Sequence, residues 1–248
     1  MSKISDALDK ADRERRSHEQ AGALEQQRTE LGPPPSRNIP EELWRELGMM
    51  RNLIESHLPS KRSRSLILTS AGAGEGVSSV TANFARILAD DPSLNVLVVD
   101  ANPETPAQHE LFGVENARGF VELARGDLKS DEAVIVTARK NLCVIPSGVA
   151  TGGIYQLVGT ERVPGMFAGL QARFNYLLFD APPVLSHPET AVLGSHVDGA
   201  LLVVRALNTR REAAARARDA LVQSGCNVVG VVLNRYKYSI PEFIYRRV

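Results

Sequence analysis

From Ser65 onward, short apolar runs alternate with stretches of helical periodicity. Leu66–Thr69, Val96–Val99, Leu142–Ile145, Tyr176–Phe179, Ala200–Val204 and Val228–Leu233 are β-branched and nearly continuous in apolarity. That pattern suits strands buried on both faces of a parallel sheet, because a strand with one wet face would alternate instead. A helix is predicted from Arg210 to about Ser224, with Thr209 and Glu212 as a T-x-x-E capping box and Gly225 at its carboxyl cap. Ahead of the first strand, residues 40–58 (PEELWRELGMMRNLIESHL) read as an amphipathic helix, with Leu43, Leu47, Met50, Leu53 and Ile54 on one face. The alternation predicts an α/β fold with a doubly wound, mostly parallel sheet. No internal repeat is present.

Residues 1–40 stand apart. Ile4, Leu8 and Ala11 form a narrow helical stripe, the rest is charged or Gln-rich, and Pro33, Pro34 and Pro35 end any helix and stiffen the connection. This predicts a mobile arm and linker, either a solvated tail or a docking segment. The domain proper spans 41–235 and a tyrosine-containing tail spans 236–248. The start of the chain is too charged for a signal peptide, and no run of about 18 apolar residues offers a membrane span, so any membrane role is expected to go through a partner.

The composition changes this picture little. Apolar residues make up 43%, Lys+Arg and Asp+Glu both number 29, and the formal net charge is zero. A dedicated nucleic-acid binder would be strongly basic, so no nucleic-acid partner is expected. Cys143 and Cys226 lie far apart with no metal spacing, and each is expected as a buried thiol in a strand.

The sharpest local signal is LILTSAGAGEGVSSVTANFARILA. A buried strand runs into Ala71-Gly72-Ala73-Gly74-Glu75-Gly76, then Ser78, Ser79 and a helix. Glycines let backbone amides converge on one centre, and a helix start adds partial positive charge, which together form an anion cradle. The phosphate-loop pattern G-x-x-x-x-G-K-[ST] is met in part: Ala71 replaces the first Gly and Val77 replaces the Lys, while Ser78 keeps the Mg²⁺-binding hydroxyl. Asp100 ends the second strand and Asp180 a later one. Ligands of open α/β sheets sit beyond the carboxyl ends of the strands, so both carboxylates should face the loop.

With these residues in place, the chain resembles the bacterial tyrosine kinases (BY-kinases) of capsule and exopolysaccharide systems, relatives of the chromosome-partitioning ATPases. The likeness runs from about Glu42 to the carboxyl terminus through ELWREL, HELFGVENARGFVELARGDL, LCVIPSG, FDAPPVL, VDGALLVVR and GVVLNR. It implies a P-loop NTPase-like fold, with ATP and Mg²⁺ as cofactors. By resemblance Gly72, Gly74, Gly76, Ser78 and Ser79 are nucleotide positions and Asn234 is an adenine-side position. Ser78, Asp100 and Asp180 are metal positions, and Asp100 and Asp180 the catalytic carboxylates, Asp100 being the candidate base. Tyr236, Tyr238 and Tyr245 are phospho-acceptor candidates or parts of a packing tail. Glu42 and Arg45 keep half of an E-x-x-R-x-x-R oligomer motif that Gly48 ends.

The departures bear on chemistry. Val77 supplies no charge to phosphate, Glu75 pushes the wrong way, Asn102 stands at a second Asp and Glu104 at an Arg. Loss of one preorganised charged contact costs roughly 10²–10³ in rate. A substitute cation from Arg205, Arg210 or Arg211 is an open alternative. The resemblance therefore implies a cytoplasmic, catalytically impaired regulatory or scaffold subunit, peripheral at the inner membrane through a polysaccharide co-polymerase (chain-length protein), with homo-oligomers possible. An active tyrosine autokinase is one alternative and a partitioning-type ATPase another.

Overall fold

The computed structural model describes residues 40–58, 61–149 and 162–235. A sheet of seven strands forms the middle layer: β1 (Arg64–Ser70), β2 (Val96–Asp100), β3 (Ile135–Val136), β4 (Leu142–Ile145), β5 (Tyr176–Asp180), β6 (Gly199–Arg205) and β7 (Val228–Asn234). Their order is β3-β4-β2-β5-β1-β6-β7, and every pairing is parallel except β3 with β4. Each predicted strand lies within one of these. The antiparallel β3 was not predicted, since two residues are too few to carry a period.

Helices cover both faces, as a sheet apolar on both sides requires. One face packs α1 (Glu41–His57) and α2 (Val77–Leu88) through Leu47, Ile54, Val80, Phe84 and Leu88 onto Leu66, Leu68, Val98 and Leu178. The other packs α4 (Phe120–Arg125), α5 (Ser130–Ala133), α6 (Arg162–Gln171), α7 (Glu189–Gly194) and α8 (Arg211–Gln223) onto Ile67, Leu97, Phe179 and Leu202. The short α3 (Gln108–Phe112) follows β2 and joins the first face through Phe112. The chain steps from β1 to β2 past β5, then from β5 to β6 past β1. The connections thus diverge at the centre of the sheet, where a crevice opens at the carboxyl ends of the strands.

Four expectations need correction. β7, read as a strand buried on both faces, is the edge strand of the sheet and only partly buried, with Val231 (58%) and Leu233 (54%) exposed. Leu53 is 61% exposed, because it lies roughly 80–120° around the helix from the buried stripe of Leu47 and Ile54 at the helical period. The capping box at α8 does not form: the helix starts one residue later with Arg210 as its cap, and the Thr209 hydroxyl is engaged elsewhere. Cys226 lies in a turn and not in a strand. Gly225 (φ 84) and Cys226 close a Schellman motif, with N–H bonds to Val222 and Leu221 carbonyls. Both cysteines are buried and neither forms a disulfide; burial pushes the Cys226 thiol up to about 11.

Gly48 does not break α1. Trp44, 38% exposed, lines an open groove with Gly48, Arg51, Asn52, Asp90 and Asp91. No helix among the described residues is long and apolar enough to cross a membrane.

Candidate functional site

The glycine loop takes its shape from two left-handed residues, Gly74 (φ 75) and Gly76 (φ 90), which only glycine adopts without strain. A Cβ at Gly76 would also collide with Asn234 Nδ2, which instead donates to the Glu75 carbonyl at 2.8 Å. Asn234, at the end of β7, is therefore hydrogen-bonded to the loop backbone.

The Glu75 carboxylate is 95% out of solvent and does not point freely at a ligand. It accepts from the Ala71 N–H at 3.2 Å and from the Thr209 hydroxyl at 2.7 Å. Thr209 also accepts from the Arg205 N–H at 2.8 Å, so it ties the β6–α8 turn to the loop. Glu75 thus braces the loop, a role its sequence position did not disclose.

Past the loop, Val77 opens α2. It is 9% exposed and belongs to the core cluster with Leu68, Val80 and Val203. Ser78 is half-buried and Ser79 exposed on the same first turn. No side chain at 77 offers a charge to the cradle.

Asp100 and Asp180 are register partners on adjacent strands and are 0% and 1% exposed. Asp100 accepts three backbone N–H bonds, from Asn102 (3.1 Å), Ala107 (2.9 Å) and Gln108 (2.9 Å). Burial raises its pKa against those donors. Asp180 has fewer donors: its Oδ2 accepts from Gln108 Nε2 at 2.7 Å, and Ser78 lies alongside. Burial first, then the neighbouring Asp100 charge, pushes Asp180 up to about 7. Like charges in one dry site cannot both ionise cheaply, and Asp100, with its three N–H donors, is the one that stays charged.

Gln108 completes the cluster. Its Nε2 also donates to the Ser78 carbonyl at 3.1 Å, so the buried amide joins α2 to β5 while the backbone N–H of the same residue reaches Asp100 of β2. Nothing in the residue order marked it beyond a polar residue entering a short helix. Asn102 turns away into its own loop, with Nδ2 on Thr105 Oγ1 at 2.9 Å. Glu104 reaches across to His187 Nε2 at 3.0 Å.

The cluster fits a divalent cation. Asp180 Oδ1 and Gln108 Oε1 are buried without partners among the described residues, and the donors at hand are carboxylate, hydroxyl and amide oxygen, the hard set that Mg²⁺ prefers. The fit to nucleotide phosphate is poorer. The amide cradle and helix start are present, but the charge usually supplied at position 77 is not.

Of the other predicted positions, Glu42 and Arg45 are exposed on α1, with Arg45 3.7 Å from Glu41. Arg205 sits half-exposed at the end of β6, and Arg210 and Arg211 are exposed at the start of α8. Tyr236, Tyr238 and Tyr245 lie outside the described residues.

The fold recurs in known proteins. The chain is 28% identical over 213 residues to tyrosine-protein kinase YwqD of Bacillus subtilis (strain 168), covering 86% of this chain and 88% of that one. It is 28% identical over 186 residues to tyrosine-protein kinase wzc of Salmonella typhi, covering 75% of this chain and spanning 26% of that longer protein. Among solved structures, the kinase domain of Escherichia coli tyrosine kinase ETK matches with a TM-score of 0.73 at 22% identity, over 80% of this chain and 79% of that one, which shows the fold. No family model matches. A mostly parallel P-loop NTPase-like sheet, the glycine loop entering α2 and paired strand-end carboxylates thus accompany relatives that are tyrosine kinases, and the family the chain is similar to is that of the bacterial tyrosine kinases (BY-kinases).

Proposed function

We propose that this chain is a catalytically impaired member that serves polysaccharide (exopolysaccharide or capsule) export as a regulatory or scaffold subunit. It would sit on the cytoplasmic face of the inner membrane through a membrane co-polymerase. In this reading the arm of residues 1–40 and α1, with Glu42 and Arg45, form the association surface. The α/β domain of 41–235 is the body, and 236–248 is the tail.

Val77 carries the reading. Phosphoryl transfer is positioning and charge neutralisation, and the loop lysine is a point charge against the β- and γ-phosphates. A buried aliphatic side chain that packs with Leu68 and Val80 supplies none. Bound Mg·ATP would supply the phosphoryl group and the metal's charge. The loop amides would cradle phosphate, and Ser78 and Asp180 would hold the metal. Asp100, engaged by three backbone donors, is poorly free to take a proton from a hydroxyl.

Calorimetry of the purified chain with ATP, with and without Mg²⁺, tests this. Binding weaker than about 100 μM is expected, and Val77→Lys should tighten it roughly tenfold or more, the effect of one charge-assisted contact. Sub-micromolar Mg·ATP affinity in the unaltered chain would overturn the proposal.

One observation favours a second reading, an active autokinase. The Thr209–Glu75 bond holds the turn that carries Arg205 and Arg210 against the loop, so a neighbouring guanidinium has a short path to phosphate. Phosphotyrosine on incubation with Mg·ATP, lost in Arg205→Ala and in the triple Phe variant of Tyr236, Tyr238 and Tyr245, would support that alternative.

A further inference from the structure

Two buried oxygens in this molecule face the same deficit. Asp180 Oδ1 and Gln108 Oε1 both lack a partner among the described residues, and both belong to one amide–carboxylate pair joined through Gln108 Nε2 and Asp180 Oδ2. Gln108 is fully buried. Its Nε2 hydrogens are both spent on oxygen acceptors, Asp180 and the Ser78 carbonyl, which fixes which end of the amide is oxygen. The backbone N–H of Gln108 is spent on Asp100. The residue is thus held at both ends with its one acceptor left over.

A buried amide oxygen without a partner is destabilising unless a hydrogen-bond donor or a cation meets it. No cluster of three His, Cys, Asp or Glu side chains exists among the described residues, so carboxylates alone do not complete a metal shell here. Asn102, two residues past Asp100, has both side-chain ends engaged with Thr105.

We infer that Gln108 is an inner-sphere ligand of the divalent cation in this site, its Oε1 joining Asp180 Oδ1 and the Ser78 hydroxyl. The inference rests on reading the cluster as a cation site. Gln108 then does in this chain what a further carboxylate would do in a more acidic site, without adding a third negative charge beside Asp100 and Asp180. The cation is bound by the protein alone and does not wait for nucleotide.

The test is Mn²⁺ binding to the full chain without nucleotide, read as loss of the free-Mn²⁺ electron paramagnetic resonance signal. The unaltered chain should bind, Gln108→Met should weaken binding at least tenfold, as loss of a metal-site residue does, and Asp180→Asn should abolish it. If Gln108→Met binds as tightly as the unaltered chain or tighter while Asp180→Asn abolishes binding, the cation site stands and the role of Gln108 falls. If Asp180→Asn leaves binding intact, or the unaltered chain does not bind, the cation reading fails and takes the inference with it. A second measurement needs no variant: in ¹⁵N-labelled protein, Mn²⁺ should broaden the Gln108 side-chain amide resonance beyond detection. An unaffected resonance at saturating Mn²⁺ would sink the proposal.

Discussion

At the amino ends of the strands, acidic side chains are paired with cations; at the carboxyl ends, no ion pair reaches the buried Asp100 and Asp180 among the described residues, and only His109 adds a nearby charge. Near the start of β5, Glu55 accepts from the Tyr176 hydroxyl at 2.6 Å and from Arg51 Nε at 3.0 Å, and Arg51 reaches Asp91 at 3.4 Å. Between β1 and β6, Asp198 takes the Ser65 N–H and hydroxyl, both at 2.8 Å, and Lys61 at 2.7 Å. Across the sheet, Asp100 and Asp180 share one dry site served by backbone amides and a neutral glutamine. One end spends its charges holding the fold together. The other keeps negative charge unneutralised, an arrangement that costs stability and is useful only if a ligand brings the opposite sign.

The two ends should answer pH with opposite sign. Burial opposes ionisation of Glu55 and Asp198, but their donors outweigh it and hold both carboxyls below the usual range. Their stabilisation is full above the unfolded carboxylate pKa near 4 and is lost as pH falls below it. Asp180, pushed up to about 7, prefers its proton in the folded state, so its contribution is full below pH 4 and is lost as pH rises towards 7.

The largest effect expected follows directly. At pH 8 without divalent ions, Asp180→Asn should stabilise the chain by up to roughly 3–4 kcal/mol, about three pKa units at 1.36 each, and by much less at pH 5. Urea titrations at both pH values check this, and Mg²⁺ should close the gap by stabilising only the unaltered chain. A flat pH dependence in the unaltered protein would break the comparison at its centre.

Glu55→Ala tests the other end. It leaves the Tyr176 hydroxyl, on a residue 1% exposed, without its acceptor and leaves Arg51 with Asp91 alone, so a loss of about 2 kcal/mol is expected by urea titration. Thr209→Val returns to the carboxyl end and should cost about 1 kcal/mol by removing the donor to Glu75. A crystal structure of that variant should show Glu75 displaced from the turn. Lys61→Ala should cost well under 1 kcal/mol and fade with salt, since the ammonium is half-exposed. If it proved as costly as Glu55→Ala, the amino end would depend on charge pairing more than on the buried hydroxyl.

Much of the scaffold could be read from residue order. The strands around Leu66, Val96, Leu142, Tyr176, Ala200 and Val228 are apolar on both faces, and period and branching are local properties. Leu53 and Thr209 show where local reading stops. Leu53 fits a generous helical face but sits past its edge. Thr209 has the spacing of a cap, yet its hydroxyl goes to Glu75, 134 positions earlier in the chain. A long-range acceptor in a buried place outcompetes a local amide that water can serve.

The same division holds at the site. Sequence by itself determined that a strand enters a glycine loop without lysine, and that two aspartates end strands, because these are statements about neighbours along the chain. Only the tertiary structure decided that Asp100 and Asp180 lie in register, that Val77 joins the core and that Glu75 faces Thr209. It also decided that Gln108 lies between Ser78 and Asp180 with an oxygen to spare. Those contacts span 30 and 72 positions. They exist because parallel pairing brings β2 beside β5 and stacks α3 against α2, which no local pattern encodes.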